Sequence, residues 1–292
     1  MLDSPSHVVV GCSDLEAMEA FLGHFGFISS AAPELPADAA SALYGLDRPA
    51  RQRLLSTPGA EQGWVRLVAT PHAARSFEPY DPRPVAIDLY TRDIHQSLEI
   101  SRQAGAHCGE LVEYELGPLE IQEVEVVGPD QLVVVFIRAN QRRPSVLDHD
   151  PDRLHSEVHS VVHAVADADV AMPFWTEAGG LTTLIDARIE GPIISQLMAL
   201  PRPNVPVRFI LMCDAEVRPA RLELLQFFED PGTALPNWPL AAGLHGPCFA
   251  VEDLDAAIAT LPAEFGNIVC VGTQRGVSAV APGGVRFELW ST

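Results

Sequence analysis

Three histidines stand at nearly the same distance ahead of an aspartate able to open a helix. His7 lies seven residues before Asp14, His159 eight before Asp167 and His245 eight before Asp253. A neutral imidazole so placed can hold a metal ion or move a proton. Two glutamates sit inside apolar, strand-like runs, Glu223 in "LELL" and Glu288 in "RFELW". Such carboxylates suit general acid–base work or a divalent cation. The plainer reading of each is an exposed strand glutamate whose neighbours face the core. Five cysteines (Cys12, Cys108, Cys213, Cys248, Cys270) are scattered with no CxxC pair. That pattern fits neither a disulfide framework nor a zinc–thiolate site, and buried apolar filling is the expectation. No glycine-rich phosphate loop and no GxSxG elbow occurs in a strand-to-helix context.

The elements that must position these groups repeat along the chain. "HVVVGCSDLEAMEAF" from His7 can be laid beside "HSVVHAVADADVAMPFW" from His159. A second strand-to-helix start appears in each half, in "PVAIDLYTRDIHQSLEI" from Pro84 and "GPCFAVEDLDAAIATL" from Gly246. "GWVRLVAT" and "ARLELLQFF" predict strands that close the first and third units. Hairpins turning at Pro129-Asp130 and at Pro282-Gly283-Gly284 close the second and fourth. Each unit therefore reads as strand, helix, then about three strands. A lone unit leaves one sheet face open, so units should pair. Asn140 to Leu154 is polar, proline-bearing and aperiodic, and reads as a linker between halves. "LIDARIEGPIISQLMAL" reads as an apolar strand pair, either core or the wall of a hydrophobic site.

At 292 residues, 47% of them hydrophobic, the chain should fold throughout. Its formal net charge of −20 speaks against nucleic acid or an anionic membrane as partner. With no signal-like N-terminus and no long apolar run, a cytoplasmic protein acting on a small molecule is the expectation. Neither a monomer nor a homodimer is favoured.

The fourfold repeat, the helix starts "DLEAMEAF" and "VEDLDAAI", and the terminal "PGGVRFEL" hairpin resemble the vicinal oxygen chelate superfamily. That superfamily includes glyoxalase I, bleomycin-resistance proteins and extradiol dioxygenases. The resemblance covers almost the whole chain. It implies an α+β fold of four tandem βαβββ units paired into two cup-shaped domains, residues 1–140 and 155–292. In metal-using members, ligands from the first and last strands of the units converge in the cup.

On that pattern the N-terminal cup keeps His7 only. Arg66 replaces one glutamate, Val135 the other, and Ala86 stands at the second first-strand position. Strand alternation puts His7, Arg66, Asp88 and Tyr90 towards the cup as substrate-binding candidates, with an Arg66–Asp88 ion pair as one arrangement. In the C-terminal cup the resemblance implies His159, Glu223, His245 and Glu288 as ligands for Zn, Ni, Fe or Mn, with Glu223 and Glu288 also as catalytic carboxylates. His163 shares a face with His159 and is a further cup candidate. Strict register, however, points to Ser160 and Gly246 instead of the two histidines. Either both strands carry a one-residue bulge, or both histidines face away from the cup. Without a metal, facing carboxylates would raise each other's proton affinity and still permit acid–base chemistry.

The activity implied is a glyoxalase-type lyase or isomerase acting on a small carbonyl-bearing or aromatic compound. An iron-dependent ring-cleaving dioxygenase using His159, His245 and Glu288 is one alternative. A metal-free binding protein of the resistance type is the other.

Overall fold

A computed structural model describes residues 2–229 and 239–291. The first unit runs β1 (His7–Cys12), α1 (Leu15–Gly23), β2 (Ile28–Ala31), α2 (Ala37–Tyr44), β3 (Gln52–Ser56) and β4 (Trp64–Ala69). The second runs β5 (Arg83–Thr91), α3 (Ile94–Gln103), β6 (His107–Cys108), β7 (Val112–Leu116), β8 (Leu119–Val127) and β9 (Val133–Ala139). The third holds β10 (His155–Ala164), α4 (Ala168–Pro173), β11 (Thr182–Ile189), α5 (Ile193–Leu197), β12 (Val207–Cys213) and β13 (Arg221–Phe227). The fourth holds β14 (Gly243–Val251), α6 (Leu254–Thr260), β15 (Glu264–Phe265), β16 (Val269–Val271), β17 (Gln274–Val280) and β18 (Arg286–Ser291).

The same device starts the main helix of every unit. Asp14, Asp93, Asp167 and Asp253 each accept a hydrogen bond from a backbone N–H of the first turn, satisfying a donor the helix cannot. The predicted hairpin turns form as well. Asp130 and Gln131 take left-handed backbone after Pro129, and Gly283 and Gly284 do so after Pro282.

The units pair otherwise than by halves. One nine-stranded sheet joins the first unit to the fourth through antiparallel β1 and β14. The other joins the second to the third through antiparallel β5 and β10. Each cup thus draws one unit from residues 1–140 and one from 155–292, which corrects the expected pairing within a half. The halves persist on the other sheet faces. Val8, Val10, α1, α3, Ile87, Leu89 and Phe136 form one core from the first two units. Ala168, Trp175, Leu222, Phe249, Leu254 and Phe287 form its counterpart from the last two. The helices therefore glue units within a half, while the sheet edges run between halves.

The two concave faces differ. In the first sheet α2 lies inside the cup, packing Leu35, Leu43, Tyr44 and Leu46 on Val9, Val68, Cys248 and Trp290. In the second sheet the concave face gathers Ala86, Tyr90, Val135, Val162, Leu225 and Phe227. The segment expected as a strand pair is β11 followed by α5, because Gly191 turns at φ +101° and Pro192 pre-sets the helix start. The expected linker packs closely, with a short 3₁₀ turn at Val146–Asp148 capped by Ser145. The Arg92 guanidinium donates to the Leu147 carbonyl. Cys12, Cys213 and Cys248 are buried and Cys108 partly so, whereas Cys270 is exposed. Among the described residues, no helix is long and apolar enough to cross a membrane.

Candidate functional site

On β10 the pairing with β5 shifts between Val158, opposite Leu89, and Ser160, opposite Asp88. On β14 the pairing with β1 shifts likewise, from Gly246 opposite Val9 to Leu244 opposite Val10. His159 and His245 are the extra residues of these two bulges. The bulge alternative is therefore the one realised, and on β10 it brings both residues to the second cup: His159 lines its cleft, and Ser160 meets Asp88 and Glu223. A Cβ at Gly246 would meet the Arg286 carbonyl oxygen at 2.4 Å, so the chain passes too closely there for any side chain.

The four expected ligands do not converge. His159 and Glu223 belong to the second sheet, whereas His245 and Glu288 belong to the first. The Arg66–Asp88 pair does not form either, since β4 and β5 lie in different sheets. His163 is buried, and its Nε2 finds no hydrogen-bond partner among the described residues. With His245 it lines a small recess where β10 and β14 approach, beside Arg83 and Arg286.

The first cup holds a closed polar cluster. Arg66 Nη1 lies 3.2 Å from Glu288 Oε2, and the Trp290 indole N–H donates to the same oxygen at 2.7 Å. The Arg66 guanidinium also lies 4.5 Å over the Trp290 ring. His7 is held well below the usual imidazole range by burial and by Arg66. Ligand atoms of His7, Cys248 and Glu288 fall within 4.8 Å of one another, and His7 Nε2 and Glu288 Oε1 have no hydrogen bond. These are soft and borderline donors of the kind zinc accepts. A catalytic metal does not fit, however. The guanidinium already balances Glu288, and Tyr44 of α2 packs inside this cup against Cys248 and Trp290.

The second cup is open. It forms a cleft of about 120 Å³, narrow beside the roughly 300 Å³ and upward usual for small-molecule sites. Its walls are apolar: Val135 and Ile137 from β9, Ile185 and Ile189 from β11, Phe209 and Leu211 from β12, with Ile194, Leu197 and Met198 beside α5. The segment singled out as an apolar wall therefore does line a cleft.

The floor is acidic. Asp88 on β5, Glu223 on β13 and Glu123 on β8 all face inward. Ser160 donates from Oγ to Asp88 Oδ2, and Glu223 Oε2 lies 3.3 Å from the same hydroxyl. Burial raises the proton affinity of both Asp88 and Glu223, and the negative charge of Asp88 pushes Glu223 further. The hydrogen bond between the two carboxyls lowers Asp88 and raises Glu223, so Glu223 is the one that holds its proton more tightly. Burial and the charge on Asp88 carry Glu123 up to about 8, while a hydrogen bond with Tyr114 opposes the rise. Tyr90 stacks on His159 with ring centroids 4.0 Å apart, and Arg221 Nη1 lies 2.7 Å from His159 Nδ1.

Sequence reasoning placed Asp88 and Tyr90 in one cup and Glu223 in the other, and missed that the three share a cup. It also missed Glu123 and Tyr114. Their alternation in "VEYEL" and "LEIQEVEVV" puts them on one face, a signal masked by the many exposed acids around them.

No protein-family model and no curated protein sequence matches the chain. Solved structures do. Glyoxalase I from Zea mays superposes with a TM-score of 0.61 at 14% identity, over 99% of this chain and 92% of that one. A variant of the same enzyme gives 0.65 at 15%, over 99% and 92%. A Bacillus subtilis protein with a provisional dioxygenase description gives 0.67 at 10%, over 99% and 85%. The fold is like that of glyoxalase I, with four βαβββ units making two cups, as the repeats implied. At these identities the likeness fixes the fold and leaves the reaction to the site.

Proposed function

We propose that the second cup is a general acid–base site for a small, largely apolar, carbonyl-bearing compound, making the protein a lyase or isomerase of the glyoxalase type. The observation that carries this reading is the Asp88–Glu223 pair at the floor of an apolar cleft. Removing a proton next to a carbonyl needs a base whose proton affinity lies near working pH, and an acid for the developing oxyanion. Asp88, ionised, is the base. Glu223, which holds its proton more tightly, is the acid. Ser160 keeps the two carboxyls in register, and the apolar walls exclude water from the reacting carbon.

The ring-cleaving alternative requires His159, His245 and Glu288 around one ion, and two different sheets carry them. The sequestering alternative uses the same cleft but gives no reason for paired carboxyls at its floor.

Proton–deuterium exchange at carbons beside the carbonyl tests the reading, followed by NMR across a panel of aryl and alkyl ketones and aldehydes. Wild-type protein should accelerate exchange of at least one compound, and Asp88→Asn should lower that rate by about a hundredfold or more. Exchange unaffected by both Asp88→Asn and Glu223→Gln contradicts it.

A further inference from the structure

We infer that Arg143 forms an anion subsite at the mouth of the second cup, so that the ligand is an organic monoanion, an apolar carbonyl-bearing body with a carboxylate at one end. The carbonyl part rests on the acid–base reading above; the anion part stands on separate observations. Acidic residues outnumber the arginines, which make up all 19 of the chain's lysine-plus-arginine count, 39 to 19. The neighbouring arginines are engaged. Arg142 pairs with Asp148 at 3.3 Å, Arg153 with Asp150 at 3.2 Å, and Arg92 with backbone carbonyls. Arg221 feels the charge of Glu157 and donates to the Val217 carbonyl at 2.7 Å.

Arg143 lines the cleft, half-buried, and among the described residues no carboxylate ion-pairs with its guanidinium. Its backbone N–H donates to the Tyr90 hydroxyl at 3.4 Å, which anchors the segment against β5. Its charge acts on Tyr90, His159 and Arg221, so this end of the cleft is positive while the floor is acidic. A guanidinium stays charged at any working pH and presents paired donors to a carboxylate. The acidic floor repels an anionic head, and the mouth accepts it.

Tyr90 lies two residues beyond Asp88 on the same face of β5, roughly 7 Å along the strand. The Arg143 backbone is tied to the Tyr90 hydroxyl beyond Asp88, so a ligand that reaches both Asp88 and Arg143 carries its carboxylate on a spacer from the reacting carbon.

The test compares 5-benzoylpentanoate with its methyl ester by calorimetry, on wild type, Arg143→Gln and Arg143→Lys. Wild type should bind the anion about tenfold or more tighter than the ester. Arg143→Gln should abolish that preference by weakening the anion more than the ester, and Arg143→Lys should keep part of it. Equal affinities in wild type, no binding of the anion, or a preference that survives Arg143→Gln each overturn the subsite. Anion-selective binding without proton exchange at the carbon beside the ketone contradicts the acid–base reading and leaves the subsite standing.

Discussion

Ser160 on β10 donates its hydroxyl to Asp88 on β5 and stands 3.3 Å from Glu223 on β13, bridging carboxyls from the two strands that flank it. Both contacts favour ionisation and oppose the effect of burial. Ser160→Ala should therefore move the apparent pKa of the pair upward, seen as a basic shift in the pH profile of proton exchange. A shift to lower pH contradicts this role.

Glu123 gives a stability prediction with a definite sign. Its folded pKa of about 8 lies above the ordinary 4.5, so the folded state holds a proton that the unfolded state releases between these values. The stabilisation is complete below about 4.5 and is lost as pH rises through 8. Glu123→Gln should unfold at higher temperature than wild type at pH 8 to 9, by an amount worth a few kcal/mol at most. The difference should shrink towards pH 5. A variant less stable at pH 9 than at pH 5, relative to wild type, contradicts this assignment.

His163 predicts the opposite slope. Burial brings it down to about 3, so the unfolded state takes up a proton from 6.5 downward that the folded state refuses. Its contribution to stability is present above 6.5 and lost as pH falls towards 3. His163→Leu should displace the acid-unfolding midpoint to lower pH, read by circular dichroism. A midpoint displaced upward contradicts the buried neutral imidazole.

The Arg66–Glu288 pair should behave as a structural ion pair. Removing one partner leaves a buried charge, at a cost of about 3–5 kcal/mol. Glu288→Ala and Arg66→Ala should each lower the unfolding temperature strongly, while Arg66→Met with Glu288→Leu should cost less than either. Metal analysis of protein prepared without chelator should show no stoichiometric ion lost on Glu288→Ala. A stoichiometric ion that disappears in that variant contradicts the closed cluster.

The sequence carried the unit structure well, because four aspartate caps and two glycine- or proline-bearing turns are local signals. It carried the pairing poorly. Whether β1 meets β5 or β14 depends on which edges the helices leave free once α1 and α3 share a core, a long-range matter. The one-residue slip at His159 and His245 was legible as spacing, and Ser160 and Gly246 were the register positions that the bulges preserve. The site stayed hidden for a related reason. Asp88 and Glu223 come from different halves, so neither half read alone shows two carboxyls facing. The Val135-for-Glu288 contrast was real, but the two residues mark different cups.

Carboxyl carbon-13 NMR of protein labelled at aspartate and glutamate, titrated from pH 3 to 9 beside Asp88→Asn and Glu223→Gln, tests the proton held on Glu223 most directly. One carboxyl of the Asp88–Glu223 pair should remain protonated at pH 7, and its signal should vanish in Glu223→Gln. Two signals that both titrate in the ordinary carboxylate range near 4 would contradict an acid–base pair at the floor of the cup.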